Sequence, residues 1–330
     1  QAAYRPFAFL SPEEAGELKA TIQRALHVLG KKHLGLIVHG PSFPSVPGED
    51  TGIGSHLGEG GRRLMAFLDV LGFNCLQLGP GGKTKSVDPS PYISTTFSGN
   101  PLFVSLPALV ADGLLTEVTL KRIVADKPDD TEGDLHRMVY DYVFHRQADA
   151  LEDAYRTFRE KREAGDAGVQ ALAREFEQYQ EANAEWLEND ALYEVLSELH
   201  GNDYWPLWPD TLDKNLKNPR NDDEQAAAAR RIAQIRRDHG ERLEAYAFRQ
   251  FLVHRQRQAT NRFAEERDIK LIADRQVGFS DRDIWAYRSL FLDDYLLGAP
   301  PDHFSQSGQA WGFNILDPAL IFDDDGRHIR

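Results

Sequence analysis

Two short apolar runs, Leu34-Gly35-Leu36-Ile37-Val38 and Phe73-Asn74-Cys75-Leu76-Gln77-Leu78, constrain this chain most. Between them residues 57–71 carry a helical pattern that Gly72 closes. Each run is followed by a long polar loop, residues 39–55 and 79–101. Strand, loop, helix, strand, loop is the order of a parallel α/β arrangement, either a β/α barrel or an open sheet. In both architectures ligands meet the carboxyl ends of the strands, where these two loops begin.

Other punctuation supports this reading. Ser11-Pro12-Glu13-Glu14 is a helix start, with a cap, proline in the first turn and acids after it. Ala15, Leu18, Ile22, Leu26 and Leu29 follow at helical spacing, and Gly30 stops the helix. From residue 108 to about 266 the chain is helical and highly charged, in three stretches, 135–162, 172–199 and 224–266. Leu243, Ala247, Phe251 and His254 mark the inner face of the last. Breaks fall at 165–168, 201–209 and 215–221. A third strand, residues 269–274, ends in the carboxylate of Asp274, and a further loop spans 298–311.

The bulk numbers exclude some functions. Hydrophobic residues make up 41% of the 330, enough for a sizeable core rather than disorder. A net charge of −14 disfavours nucleic acid and acidic membrane surfaces, which bind through Lys and Arg. A neutral, polyhydroxylated ligand is compatible with it. Cys75 is the only cysteine, so no internal disulfide forms, and its apolar run makes it a buried structural thiol. No apolar stretch reaches the length of about 18 residues that a membrane helix needs. No signal-peptide pattern opens the chain, which begins at Gln1, so a cytoplasmic protein is expected.

The run Ser90-Pro91-Tyr92-Ile93-Ser94-Thr95-Thr96-Phe97-Ser98-Gly99-Asn100-Pro101 is the first candidate site. Pro91 stiffens the backbone before Tyr92, and Asn100 before Pro101 is biased to an extended shape. A rigidly held aromatic stacks on a sugar face while hydroxyls and amides bind its OH groups. A plain surface loop closed by an aromatic plug fits the same residues. The second candidate is the loop Ala299-Pro300-Pro301-Asp302-His303-Phe304-Ser305-Gln306-Ser307-Gly308-Gln309-Ala310-Trp311-Gly312. Phe304 and Trp311 offer apolar faces, and Asp302, His303 and Gln309 offer polar handles, as in a lid. A structural turn is its alternative. Asp274 is either an acid/base or hydrogen-bond acceptor, or a helix cap. Asp281 and Asp283 read as turn or cap residues; Asp293, Asp294 and the acids at 323–325 read as solvated charge. The histidines are scattered without metal-ligand spacing, and Gly79-Pro80-Gly81-Gly82-Lys83-Thr84 lacks the spacing of a phosphate loop.

Several of these segments together resemble the amylomaltases, the bacterial 4-α-glucanotransferases or disproportionating enzymes of the α-amylase clan. The resemblance is carried by Ser90-Pro91-Tyr92, Ser94, Phe97, Gly99-Asn100-Pro101, Ser105-Leu106 and Asp112-Gly113-Leu114-Leu115. Gly52-Ile53-Gly54, residues 73–80, Glu185-Trp186-Leu187 with Asp190-Ala191-Leu192, residues 269–274 and residues 299–312 follow in the family's order. It implies an α/β fold: the N-terminal portion of a (β/α)8 TIM-type barrel with a large helical insertion. It divides the chain into residues 1–107, first strands and sugar-binding loops; 108–266, the inserted helical subdomain; and 267–330, the third-strand region and a mobile active-site loop.

The resemblance also implies retaining cleavage of an α-1,4-glucan and transfer to another sugar, through two carboxyls about 5 Å apart. Ser90, Tyr92, Asp274, Gln309 and Trp311 would contact maltooligosaccharide, with Asp302, His303 and Phe304 in the mobile loop. No metal or organic cofactor is implied. Two departures stand out. Arg275-Gln276-Val277-Gly278-Phe279 replaces the commoner Leu-Pro-Ile-Tyr-Val after Asp274. The family's nucleophile motif, Arg-x-Asp-His, falls after the mobile loop, so the nucleophile and acid/base are expected beyond residue 330, in a missing C-terminal portion. Arg236-Arg237-Asp238-His239 matches the letters but precedes the Asp274 strand, on what reads as an exposed helix end closed by Gly240. The alternatives are a non-catalytic glucan-binding module and a scaffold protein using its charged helices.

Overall fold

Helix starts and strand ends follow from local chemistry. The computed structural model describes residues 10–129, 131–132 and 135–322. Helix α1 (Pro12–Val28) opens with a full capping box: Ser11 Oγ accepts from Glu14 N at 3.2 Å, and Glu14 Oε2 accepts from Ser11 N at 2.6 Å. It ends where Gly30 adopts φ +64°, a turn that glycine enters without strain. Strand β1 (Gly35–Val38) then runs to helix α2 (Glu59–Val70) and strand β2 (Cys75–Leu78). The N-cap of α2 is Gly58, which has no side chain. Glu49 substitutes for it, taking Gly60 N at 2.8 Å and Glu59 N at 3.3 Å.

Downstream come strand β3 (Ile93–Ser94), helices α3 (Leu106–Ala111) and α4 (Glu117–Ala125), and the short pair β4 (Thr131–Glu132) and β5 (Leu135–His136). The helical region comprises α5 (Tyr140–Glu163), α6 (Ala167–Ala182), α7 (Ala184–His200), α8 (Thr211–Lys214) and α9 (Asp222–Glu265). Strand β6 (Lys270–Ile272), strand β7 (Gly278–Phe279), helix α10 (Asp281–Ala286) and the hairpin β8 (Phe291–Ala299) and β9 (Gln309–Leu316) complete the described chain.

The expected parallel α/β arrangement is present. Strands β1, β2 and β6 form one sheet in the order β1-β2-β6, both pairings parallel, with Leu36 opposite Leu76 and Leu76 opposite Leu271. Met65 and Leu68 of α2, Phe43, Leu76, Ala264 and Ile269 form the buried core against the sheet. Cys75 is buried and free, as its apolar run predicts.

Two structural units share the chain. The first comprises residues 1–91, 99–179 and 248–275. It holds the three-stranded sheet and an aromatic core in which Phe158 and Phe248 stack at 4.4 Å with Phe176 edge-on to both. The second comprises residues 92–98, 180–247 and 276–330. Its core is Leu192, Tyr193, Leu196, Trp208, Ile235 and Trp285.

Several sequence expectations change. Strand β1, expected to be buried, is a sheet edge: Ile37 is 63% exposed. The apolar pattern at residues 135–162 begins with β5, so its helix starts only at Tyr140. The pattern at 172–199 is two helices divided at Asn183. His254 is exposed against Tyr179, at the margin of the α9 inner face. Helix α9 is two helical segments that meet at His239, whose backbone is non-helical (φ −133°, ψ 23°), next to Gly240. The Arg236–His239 letters therefore lie at the end of the first segment, as expected, and Arg236 pairs with Glu188. Residues 323–325 lie outside the described residues.

Candidate functional site

The carboxyl ends of β1 and β2 open into the two long loops, and Asp274 follows β6 by two residues. Within the first unit, Ser90 N donates to Asp88 Oδ1 at 2.9 Å in a tight turn. Asp274 is half-buried and caps no helix; its Oδ1 accepts from Arg275 N at 2.9 Å. The Gly99-Asn100 pair serves structure. Gln250 on α9 brackets Gly99 with two bonds, accepting from its N at 2.8 Å and donating to its O at 3.1 Å. Asn100 is buried, donates to Thr84 Oγ1 at 3.1 Å and accepts from Leu102 N at 3.1 Å. Gln256 repeats the bracket on Ser105, at 2.8 and 3.2 Å. A glutamine amide carries both N–H donors and a carbonyl acceptor, so it pairs with a backbone N–H and C=O as another strand would.

Within the second unit, residues 92–98 are held from several sides. Tyr92 O accepts from Val277 N at 3.1 Å and Gly278 N at 2.9 Å, and β3 pairs with β7 in parallel. Gln276 Nε2 donates to Thr96 Oγ1 at 2.9 Å. Phe97 stacks on Trp186 at 6.2 Å and leans on Tyr287 at 5.6 Å. Thr96 N donates to both carboxylate oxygens of Asp283, each at 3.2 Å. Asp283 also closes the capping box of α10, accepting from Ser280 Oγ at 2.6 Å and Ser280 N at 3.1 Å. Tyr92 is 38% exposed on this pinned backbone.

Strand β7 also meets the hairpin: a Cβ at Gly278 would stand 2.8 Å from the ring of Phe313 on β9. Trp311 and Gln309 are on the same strand rather than in a loop, and Trp311 Nε1 donates to Gln309 Oε1 at 3.0 Å. Only residues 300–308 form the loop. There Asp302 Oδ1 accepts from Phe304 N and Ser305 N at 2.9 and 2.7 Å, and Phe304 is 92% exposed. The expected loop is shorter because antiparallel pairing extends to Ala299 opposite Gln309.

Behind the Tyr92 loop lies a buried charged cluster that the sequence reading missed. Arg282 donates to Asp190 O at 2.9 Å, pairs with Glu194, and lies over the rings of Tyr193 and Tyr246 at 5.2 and 5.1 Å. Tyr246 OH donates to Asp190 Oδ2 at 3.2 Å. Burial pushes the Asp190 carboxyl up to about 6, against the opposing pull of Arg282. Burial also raises Asp283, opposed by its Ser280 and Thr96 hydrogen bonds. Arg282 is held firmly charged by Tyr246, Glu194 and Asp190, which outweigh its own desolvation. In the sequence, Asp281 and Asp283 read as turn or cap residues, because Ser280-Asp281-Arg282-Asp283 is a capping pattern, and nothing marks Arg282. Among the described residues, no cluster of His, Cys, Asp and Glu is arranged to hold a metal ion.

A family model described as 4-alpha-glucanotransferase matches residues 42–325. The chain belongs to this family. The 4-alpha-glucanotransferase of Streptococcus pneumoniae is 28% identical over 305 residues, covering 90% of this chain and 54% of the relative. That of Thermus thermophilus is 30% identical over 287 residues, covering 84% and 50%. Among solved structures, amylomaltase from Streptococcus agalactiae in complex with acarbose superposes with a TM-score of 0.70 at 21% identity, covering 87% of this chain and 53% of that one. Amylomaltase from Corynebacterium glutamicum gives 0.58 at 17% identity, covering 92% and 38%. These likenesses establish the fold, so the three parallel strands are the N-terminal portion of the α/β barrel of this family, with its helical insertion. The chain spans about half the length of the curated relatives it matches.

Proposed function

We propose that this chain is the glucan-gripping half of a 4-α-glucanotransferase that moves α-1,4-linked segments between maltooligosaccharides by a retaining double displacement. Family membership over residues 42–325 carries the reading. The pinned Tyr92 loop supports it: an aromatic face fixed by Pro91, by β3–β7 pairing and by the Asp283–Thr96 bond is a preorganised platform for a sugar ring. Ser90, Tyr92, Asp274, Gln309 and Trp311 are assigned to substrate, and Asp302, His303 and Phe304 to a loop that moves over it. The division into 1–107, 108–266 and 267–330 belongs to the same proposal, as does a cytoplasmic setting in maltodextrin or glycogen metabolism. Retention requires two carboxyls about 5 Å apart. The proposal assigns them to the half of the relatives' length that this chain does not cover.

The test is calorimetric titration of the 330-residue chain with maltoheptaose and with acarbose, alongside a maltotriose disproportionation assay. Saturable binding is expected, weakened about tenfold by Tyr92→Ala or Trp311→Ala through lost ring stacking. Absence of binding by the native chain would remove the glucan assignment. Turnover of maltotriose by this chain alone would show that the catalytic carboxyls lie within it.

A further inference from the structure

The other end of the parallel sheet carries a pocket of opposite character. It lies by the amino ends of β2 and β6, where Asn74 and Asp268 lead into those strands, and has a volume of about 220 Å³. One wall is a face of α1, from Lys19 to His27, continued by Lys31 and Lys32; the other is the 72–74 turn and Arg267. All of it belongs to the first unit. Four permanent cations, Lys19, Lys31, Lys32 and Arg267, and one acid, Asp268, line it, in a chain whose net charge is −14. Lys19 is engaged by Asp69 at 2.5 Å and Arg267 by Glu266 at 3.6 Å. Lys31 and Lys32 have no acidic partner among the described residues.

The local backbone does not account for these lysines. A basic residue after a helix commonly serves its terminal carbonyls. Here those carbonyls are already taken: Leu29 N bonds Ala25 O at 3.0 Å, Gly30 N bonds His27 O at 3.0 Å, and Lys31 N bonds Leu26 O at 2.8 Å. The turn is therefore closed by the chain itself, and Lys31 and Lys32, which both line the pocket, are not needed for it. Asn74 locks the rim, donating to Lys32 O at 3.0 Å while its Oδ1 accepts from Leu34 N at 3.0 Å. The guanidinium carbon of Arg267 lies 3.5 Å from the centre of the Phe263 ring, and its Nη1 donates to Phe263 O at 2.9 Å, which fixes its direction. One fixed guanidinium beside two lysines without acidic partners among the described residues, on a small concavity, suits a compact dianion, because each contact is a charge-assisted hydrogen bond.

We propose that this pocket binds a phosphate group, as inorganic phosphate or as the phosphate monoester of a sugar, at a site separate from the carboxyl ends of the same strands. Lys31, Lys32 and Arg267 take the phosphoryl oxygens, and His27 and Gln23 supply neighbouring polar contacts. Residues 19–32 precede the segment that the family model matches, so this site does not restate the glucan assignment.

The experiment is a ³¹P NMR titration of the 330-residue chain at low ionic strength, first with inorganic phosphate, then with glucose 6-phosphate. Saturable binding is expected, weakening as salt is added. The double variant Lys31→Ala/Lys32→Ala loses at least about tenfold in affinity, and Arg267→Gln does the same, while maltoheptaose binding is unchanged in both. Tighter binding of the ester than of the free ion identifies the sugar phosphate; equal affinity identifies phosphate alone. Both support the pocket. Lys31 and Lys32 are exposed, so the double variant folds, and circular dichroism checks it. Equal phosphate affinity in the native chain and the double variant, or no saturable binding, overturns the proposal.

Discussion

Thr96 N donates to both carboxylate oxygens of Asp283 at 3.2 Å, across 187 residues of sequence. Asp283 is buried and simultaneously caps α10 through Ser280. Replacing it with alanine strands the N–H of Thr96 and removes the cap. Asp283→Ala is expected to cost about 2–4 kcal/mol in urea unfolding. Asp283→Asn keeps one acceptor and loses less. If loop position matters to the sugar, maltoheptaose affinity falls further in the alanine variant than in the asparagine variant.

Burial and the nearby charge of Arg257 push the His56 imidazole down to about 3. In the unfolded chain it protonates near 6.5. Between these values the unfolded state binds more protons, so stability falls as pH drops below 6.5, by about 2 kcal/mol at pH 5. Asp190 acts in the opposite sense. Its raised pKa makes the folded state the better proton binder between 3.8 and about 6, so its contribution is lost as pH rises through that window. Urea midpoints measured from pH 7.5 to 5 should decline less steeply in His56→Gln than in the native chain. Equal slopes would mean that His56 is charged in the fold.

Removing Arg282 leaves Asp190, Glu194 and Asp283 without their cation in a buried setting. Arg282→Met retains the aliphatic stem and is expected to destabilise by about 3–5 kcal/mol at pH 7.5. The loss should shrink near pH 5, where Asp190 takes up a proton. Thermal unfolding at the two pH values distinguishes this from a packing defect, which would be indifferent to pH.

Gly54 sits where a Cβ would stand 1.8 Å from Phe43 O and 2.7 Å from Pro41 O. Both neighbours are backbone atoms and cannot swing aside. Gly54→Ala is expected to cost about 3 kcal/mol by displacing the loop after β1. By contrast, Gly16→Ala on α1 meets nothing within 4 Å and should gain about 0.5–1 kcal/mol from helix propensity.

Local patterning revealed much of this fold. Ser11-Pro12-Glu13-Glu14 announced α1 to the residue, because a capping box is written in four adjacent positions. The parallel strands followed from short apolar runs ahead of long loops, and the family resemblance from the Ser90–Pro101 stretch. What stayed hidden was long-range pairing. Gln250 lies among Phe248, Phe251 and Leu252, an out-of-place polar residue on an apolar stretch, yet nothing nearby in sequence names Gly99 as its partner. Asp283 was read as a cap, which it is, while its bond to Thr96 could not be inferred from spacing. The hairpin of β8 and β9 was missed because Asp293, Asp294 and Gly298 dilute the alternation that marks a strand.

Two long-range anchors at the carboxyl end of the Tyr92 loop set an order of assembly. Gly99 waits for Gln250, 151 residues later, and Thr96 waits for Asp283, 187 residues later. Closing such long loops costs chain entropy before any contact repays it, so these bonds form late in folding. A nascent chain that has left the ribosome only as far as α7 already displays the Tyr92 loop, but without either anchor. The supported form of this loop is therefore a late product of synthesis, and a truncation that ends before Asp283 leaves the loop present in sequence and unsupported in space.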